Sequence, residues 1–144
     1  MLLFLCAVVC FSAAACTLDL SHKHYLDKFG YCNSCQSDQT ILLTKNADGE
    51  YVSEKLNLNT INETFIRFVS DGTSPLQITV NCITSEASSI VLFSKTDDYI
   101  ASKYDKTNPV LICREPLTAG ETYYVRIKFN RGGETTVKIT PYSE

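Results

Sequence analysis

From Thr40 onward the chain is a series of short runs in which apolar and polar residues alternate, and this period of two constrains the fold most. The clearest run, YYVRIKF at residues 123–129, follows the turn LTAGET, and the run TTVKIT resumes the alternation after the turn NRGGE. Successive side chains of a β-strand point to opposite faces, so each run is expected to bury one face and expose the other. The sequence therefore predicts strands rather than helices.

Seven or eight such strands are predicted, separated by turns rich in Gly, Asp, Asn and Ser. This pattern, with no long helical period, is typical of an all-β fold, an antiparallel β-sandwich or jelly roll. The length of 144 residues suits one domain. We expect residues 16–144 to form it, with an irregular, disulfide-bearing segment at its N-terminal end.

The first segment, MLLFLCAVVCFSAAAC, is uncharged and apolar and ends in small residues. Residues 1–15 are predicted to be a signal peptide, with cleavage after Ala15 or Cys16. Its apolar run is shorter than the roughly 20 residues of a transmembrane helix, and no later segment has the apolar length of a span. We expect a secreted protein, extracellular or in the secretory-pathway lumen. Asn62, in the sequon NET, is then a predicted glycosylation site on the surface.

Export changes the interpretation of the cysteines. Four lie beyond the signal peptide and its boundary, and disulfides are the default in an oxidising compartment. Cys82 and Cys113 each end a strand-like run, which favours a bond between them. Cys32 would then pair with Cys35, or one of these two with a retained Cys16.

The stretch YCNSC also has the spacing of a redox pair or of half a zinc site. No strand–helix junction surrounds it, as a thioredoxin-like redox site requires. His22 and His24 lie close by in the sequence and leave a mixed zinc site as an alternative. In an exported chain the structural disulfide is the favoured interpretation.

Net charge argues against polyanionic partners in general. The chain has 13 Lys and Arg against 16 Asp and Glu, a formal charge of −3, so neither nucleic acid nor anionic membrane is expected as a partner.

One basic patch is nevertheless predicted. If the last two runs form a hairpin, Tyr124, Arg126, Lys128 and Lys138 share its outer face. Such a patch suits an extracellular protein or an acidic glycan. The alternative is a solvated strand face whose charges prevent edge-to-edge aggregation.

An acidic stretch, SKTDDYIASKYDK, is interpreted as a loop between strands. Asp97 and Asp98 are candidate Ca²⁺ ligands, because carboxylates and backbone carbonyls in a loop are the oxygen ligands that Ca²⁺ takes. The spacing lacks the glycine and the distal glutamate of an EF-hand. The alternative is an ordinary turn, and no other cofactor is predicted.

Catalytic motifs are lacking. His22 and His24 are the only histidines, and the chain has no G-x-S-x-G, H-E-x-x-H or glycine-rich phosphate motif. Asp97 and Asp98 are adjacent, and neighbouring residues of a strand point to opposite faces, so they do not suit a glycosidase pair. The sequence predicts a protein that is not an enzyme.

Residues 62–141 resemble the pre-peptidase C-terminal domain, a small jelly-roll-like sandwich. The resemblance rests on the strand order and on a signature of the type L-x-A-G-x-Y-Y-V-x-V, which this chain matches with two residues between Gly120 and Tyr123. The matching residues are Leu117, Ala119, Gly120, Tyr123, Tyr124 and Val125. The resemblance implies a non-catalytic accessory or binding module, and it implies that the loop at Asp97 and Asp98 is the better calcium candidate. Cys82 and Cys113 are not part of the usual motif.

Taken together, these features predict a small secreted β-sandwich that binds a protein or a glycan through exposed strand and loop faces. The alternatives are a secreted enzyme inhibitor or effector and, third, a small hydrolase.

Overall fold

The structure, a computed structural model, consists of β-strands and turns, with no helix, in the part of the chain that it describes. The described residues are 27, 29–32, 37–58, 63–96, 98–105 and 109–143. Their twelve strands are β1 (Tyr31–Cys32), β2 (Ser37–Asp38), β3 (Ile41–Leu43), β4 (Tyr51–Val52), β5 (Leu56–Asn57), β6 (Glu63–Val69), β7 (Leu76–Cys82), β8 (Glu86–Ser94), β9 (Tyr99–Tyr104), β10 (Val110–Cys113), β11 (Thr122–Arg131) and β12 (Glu134–Pro141). Over the described ranges, no helix has the length and apolar character of a membrane span.

Ten of the strands form two five-stranded sheets. The front sheet has the order β3-β6-β11-β8-β9, and the back sheet has the order β10-β7-β12-β4, with β5 also pairing with β12. The described pairs are antiparallel except β3 with β6, which is parallel. β1 and β2 form a separate two-stranded ribbon. The prediction of an all-β sandwich is confirmed.

The strands outnumber the seven or eight predicted for two reasons. β1 to β5 have two or three residues each, too few to display a period of two. β9 lies in the stretch that was predicted to be an acidic loop, and that prediction is wrong for residues 99–104. An irregularity in the pairing of β8 with β9 places Ile100 and Ala101 both against the core, which breaks the alternation that would have identified the strand.

The core lies between the sheets and is built from the inward-facing residues of the alternating runs. The larger ones among them that are fully buried are Ile66, Phe68, Ile90, Leu92, Val125 and Ile127 from the front sheet, and Ile78, Val80, Val137 and Ile139 from the back sheet. Burial of each such side chain contributes roughly 1.5–3 kcal/mol to folding. The same alternation leaves the polar residues of these strands on the outer faces.

The turn NRGGE does not close a hairpin, because β11 belongs to the front sheet and β12 to the back sheet. The chain crosses between the sheets at residues 132–133, beside a second crossing at residues 83–85 that joins β7 to β8. The two crossings are tied together, since the Glu134 carbonyl accepts hydrogen bonds from the backbone N–H groups of Ile83 and Thr84 at 2.9 and 3.1 Å. Where the sequence predicted a hairpin, the structure has two closely packed crossings between the sheets, which we call the double crossing.

Gly133 allows the two crossings to lie this close together. Its φ is +149°, and a Cβ atom there would lie 2.7 Å from the carbonyl carbon of Thr84 and 2.8 Å from the Ser85 nitrogen. Only glycine combines that backbone conformation with such a close approach of a second backbone.

Gly133→Ala is expected to lower the free energy of unfolding by about 2–4 kcal/mol, from backbone strain and overpacking together. Gly120→Ala is the matched control. Its φ is +82°, but nothing lies within 4 Å of the new Cβ, so a loss of about 1 kcal/mol is expected. Urea unfolding of both variants measures the difference, and equal losses would contradict the role given to the double crossing.

A disulfide between Cys82 and Cys113 was predicted, and this prediction is wrong. β10 runs antiparallel to β7 with Cys113 opposite Leu76, six residues before Cys82. At about 3.3 Å per residue the two Cα atoms are about 20 Å apart, whereas a disulfide requires about 4.4–6.8 Å. Each cysteine is the last residue of its strand, but the C-terminal ends of two neighbouring antiparallel strands lie at opposite ends of the sheet.

Cys113 is buried at 1% exposure, and its thiol donates to the Glu115 carbonyl at 3.6 Å. Burial raises the pKa of this thiol, and the nearby Glu115 charge raises it further. Because the pKa of the thiol is higher in the folded state than in the unfolded state, the thiol contributes fully to stability when the pH is below its ordinary pKa. This contribution is lost as the pH rises through the raised value.

The stability advantage of the wild type over Cys113→Ala should therefore shrink as the pH is raised from 7 to 10. Urea unfolding at each pH measures it. An advantage that stays constant across this range would show that the thiol does not titrate differently in the two states.

Candidate functional site

The outer face of the front sheet carries the polar side of β11, its central strand. Arg126 lies in the middle of this face, and its register partners are Phe65 on β6 and Val91 on β8. Tyr124 and Lys128 lie two residues before and after Arg126, so they share the same face. Three of the four residues predicted to form a binding patch are thus neighbours.

The fourth residue, Lys138, does not belong to this patch. It lies on β12, facing outward from the back sheet, and its Nζ is 2.8 Å from Oε1 of Glu50. The prediction of one patch with Lys138 is wrong, because it assumed a hairpin where the chain changes sheets. A site on the front sheet therefore does not include Lys138.

Tyr124 is half-buried in an aromatic cluster. Its ring is 5.8 Å from that of Phe93 on β8, with an interplanar angle of 16°, and 5.2 Å from that of Phe29 in an edge-on arrangement. Phe29 and Phe93 lie 5.9 Å apart. Such geometries stabilise by about 0.5–1.5 kcal/mol beyond the area buried. Phe29 therefore attaches the N-terminal part of the chain to the sheet.

We call residues 29–32 and 37–40 the N-terminal cover, because they lie over part of the front sheet. The closest approach is made by Gly30, where a Cβ atom would be 2.7 Å from Cβ and 2.8 Å from Cγ of Phe65. Phe65 points away from the core, yet it is only 1% exposed. The cover thus buries an aromatic residue on the outer face of the sheet.

Polar contacts fix the other end of the cover. Asp38 Oδ2 lies 2.8 Å from Nη1 of Arg67 on β6, and the Thr40 hydroxyl donates to the Phe29 carbonyl at 2.8 Å. Desolvation pushes the pKa of Asp38 upward, but hydrogen bonds from Thr40 and the charge of Arg67 outweigh it, and the pKa is lowered. The carboxylate is therefore ionised at neutral pH and holds Arg67.

The part of the face near β9 remains exposed. Tyr99 is 66% and Tyr104 is 74% exposed, the largest values among the described large hydrophobic residues. Tyr99 pairs in register with Phe93, and Tyr104 pairs with Ser89, which is opposite Lys128 on β11. The Tyr99 hydroxyl lies 2.8 Å from Oγ of Ser102, which orients the ring. We call Tyr99, Ser102 and Tyr104 the tyrosine face.

Arg126 is the unusual member of the central strand. It is half-buried, and its Nε is a buried donor that finds no hydrogen-bond acceptor among the residues the structure covers. Its register neighbours, Phe65 and Val91, are both apolar, so their side chains cannot accept a hydrogen bond from it. Nε itself is closed to solvent, so the donors that remain open to a ligand on the outer face are the terminal nitrogens of the guanidinium.

The next pair of register partners on this face, two residues further along β11, consists of two charged residues. Lys128 is exposed, and its register partner on β6 is Glu63, which is half-exposed. Within the described ranges the ion pairs include Arg67 with Asp38 but none formed by Arg126, Lys128 or Glu63. Arg126 and Lys128 thus give this part of the face a local positive excess of one charge over Glu63.

The predicted calcium site at Asp97 and Asp98 lies only partly within the described residues. Asp98 accepts hydrogen bonds from the hydroxyls of Thr96 and Ser94 at 2.5 and 3.2 Å, so its carboxylate closes the turn between β8 and β9. Among the residues with described positions, no three acidic, His or Cys side chains form a metal-binding group. Asp97 lies outside these residues, and calcium binding stays a prediction.

Several predicted residues lie beyond what the structure describes. They are the signal peptide, His22, His24, Cys35 and Asn62. Cys32 lies in β1, and its pairing with Cys35 stays a prediction.

Two parts of the site had little signal in the sequence. The cover was predicted only as irregular chain, although Phe29 and Gly30 are the residues that dock it. The tyrosine face was placed in a loop, although the stretch YIASKY is rich in aromatic and β-branched residues and lies between two turns. That composition is typical of a strand and is the signal that identifies β9 without any alternation.

Comparison with known proteins gives partial similarity to solved structures. No family model and no curated protein matches the chain. The pre-peptidase C-terminal domain of a collagenase from Bacillus anthracis is similar with a TM-score of 0.48 and 17% identity, over 70% of this chain and 92% of that chain.

Two further solved structures are similar. For PliG, a periplasmic inhibitor of g-type lysozyme from Aeromonas hydrophila, the TM-score is 0.39 and the identity 11%, over 71% of this chain and 95% of that chain. For a β-glucosidase from Paenibacillus barengoltzii the values are 0.37 and 10%, over 70% of this chain and 11% of that chain.

Gly30→Ala is expected to loosen the cover, because the new Cβ would overlap with Phe65. Limited proteolysis should cleave within residues 29–40 several times faster than in the wild type. Gly49→Ala is the matched control, since Gly49 also has a positive φ, +77°, but nothing lies within 4 Å of the added atom. Equal cleavage rates in the two variants would contradict a closely docked cover.

Proposed function

We propose that the protein is exported and acts without catalysis, binding an extracellular protein or glycan through the outer face of its front sheet. The contact residues in this proposal are the tyrosine face with Lys128 and Arg126, and Tyr124 supports it from the aromatic cluster. The observation that carries the proposal is the exposure of Tyr99 and Tyr104, 66% and 74%, on one face of one strand.

Exposed tyrosines in this arrangement favour binding for a physical reason. Tyrosine combines a large apolar ring with a polar hydroxyl and has few rotatable bonds, so a partner can bury it at a small cost in conformational entropy. Binding energy concentrates at Tyr and Arg in protein interfaces. Here both residue types are present within three neighbouring strands.

Export is supported by the sequence rather than by the fold. The apolar segment with small residues at positions 13–15 suits a signal peptide. The non-catalytic role is supported by the lack of recognisable catalytic motifs and by a face made of aromatic and basic groups. These groups suit contact with a ligand rather than proton transfer or nucleophilic attack.

The test compares two double variants on a glycan array and on an array of extracellular proteins. Tyr99→Ser/Tyr104→Ser is expected to weaken binding of the ligand by roughly tenfold or more, as loss of an aromatic anchor does. Val52→Ser/Val110→Ser is the control, since it removes two exposed apolar residues, 43% and 37% exposed, from the outer face of the back sheet.

The control variant should bind like the wild type. Equal binding by the tyrosine variant, or loss of binding only in the back-sheet variant, would overturn the proposed site. Urea unfolding of both variants establishes that each is folded.

A further inference from the structure

Resting on the proposed function, we propose that the ligand is an acidic saccharide whose carboxylate or sulfate group accepts hydrogen bonds from the terminal nitrogens of the Arg126 guanidinium. The saccharide lies across the front sheet from β11 to β9 and contacts Tyr99 and Tyr104. This names the class of ligand and the residue that recognises its charge.

The first argument is the unused donor. A partly buried charge without a counter-charge is unfavourable, and an anion that binds it offsets part of that cost. Arg126 lies between the apolar Phe65 and Val91, so an anion has to approach the terminal nitrogens of its guanidinium from above the sheet. A carboxylate or a sulfate matches the planar fork of a guanidinium, which can donate two parallel hydrogen bonds.

The second argument is charge. Arg67 is already paired with Asp38 at the edge of the cover, whereas Arg126 and Lys128 form no ion pair within the described ranges. Glu63 lies opposite Lys128, one row away from Arg126. An anion above Arg126 therefore gains attraction from both cations, and the Glu63 carboxylate opposes it by one charge.

The third argument is the position of the tyrosines. β8 separates β11 from β9, so the rows from Arg126 to Ser102 and from Lys128 to Tyr104 each span about 9.6 Å. A ligand with an acidic group on Arg126 reaches the tyrosine face only if it extends over two strand spacings. Aromatic rings at that distance suit the flat apolar faces of sugar rings.

An acidic peptide fits this geometry less well. Extended peptides commonly bind by adding a strand to a sheet edge through main-chain hydrogen bonds. A strand added beside β9 would lie about 4.8 Å further out, and so about 14 Å from β11. Arg126, on the central strand, would then remain without an acceptor.

The experiment titrates the purified, ¹⁵N-labelled protein with a chondroitin sulfate hexasaccharide while the arginine Nε–Hε signals are observed by NMR. The Arg126 signal is identified by its loss in Arg126→Lys. A hyaluronan hexasaccharide, which carries carboxylates only, separates carboxylate from sulfate recognition. A desulfated, carboxyl-reduced hexasaccharide is the neutral control, and hexaglutamate is the peptide arm.

We expect the Arg126 Nε–Hε signal to shift with at least one acidic hexasaccharide and to stay in place with the neutral one. Arg126→Lys keeps the charge but loses the planar fork, and its affinity should fall roughly tenfold, as expected for a charge-assisted hydrogen bond. Tyr99→Ser/Tyr104→Ser should also bind more weakly. Lys138→Ala, on the back sheet, should bind like the wild type.

Three results would overturn the inference. The acidic saccharides leave the signal unmoved, Arg126→Lys binds them as tightly as the wild type, or hexaglutamate moves the signal when the saccharides do not. In each case the proposed function stands if the tyrosine variant still loses its ligand on the arrays. It fails only if that variant binds everything that the wild type binds.

Discussion

Strand β11 is paired on both sides, and the register of these pairings decides which residues build the core and which build the surface. Arg126 lies on the outer face, opposite Phe65 and Val91. Its neighbours Val125 and Ile127 therefore face the core. A slip of one residue would place the arginine among aliphatic side chains, at a cost of several kcal/mol for an unpaired buried charge. The large apolar side chains of β11 therefore fix the position of its polar face.

The N-terminal cover and the tyrosine face divide the outer surface of the front sheet between them. The cover buries Phe65 and half-buries Tyr124, and it neutralises Arg67 through Asp38. What it leaves is the part of the face from β11 to β9, which carries the exposed tyrosine rings and an excess of one positive charge. The proposed site is thus defined as much by what the cover occupies as by the strands themselves.

The basic patch shows how far local sequence patterns reach. Tyr124, Arg126 and Lys128 were predicted to share a face, and they do, because alternation along one strand needs no information from elsewhere. Lys138 was added on the assumption that a short glycine turn joins neighbouring strands. The same spacing also serves a crossing between sheets, and only the contact of Gly133 with the Thr84–Ser85 crossing distinguishes the two.

Local patterns of residues were enough to specify the fold class and the inward-facing residues of the longer strands, since a period of two is a local property of the chain and burial of apolar area drives folding. Which strands are neighbours, and in which direction they run, depends on the packing of the whole chain. That is why Cys82 and Cys113 lie at opposite ends of paired strands and why Phe29 meets Tyr124. Such contacts join residues far apart in the chain, and no short-range pattern specifies them.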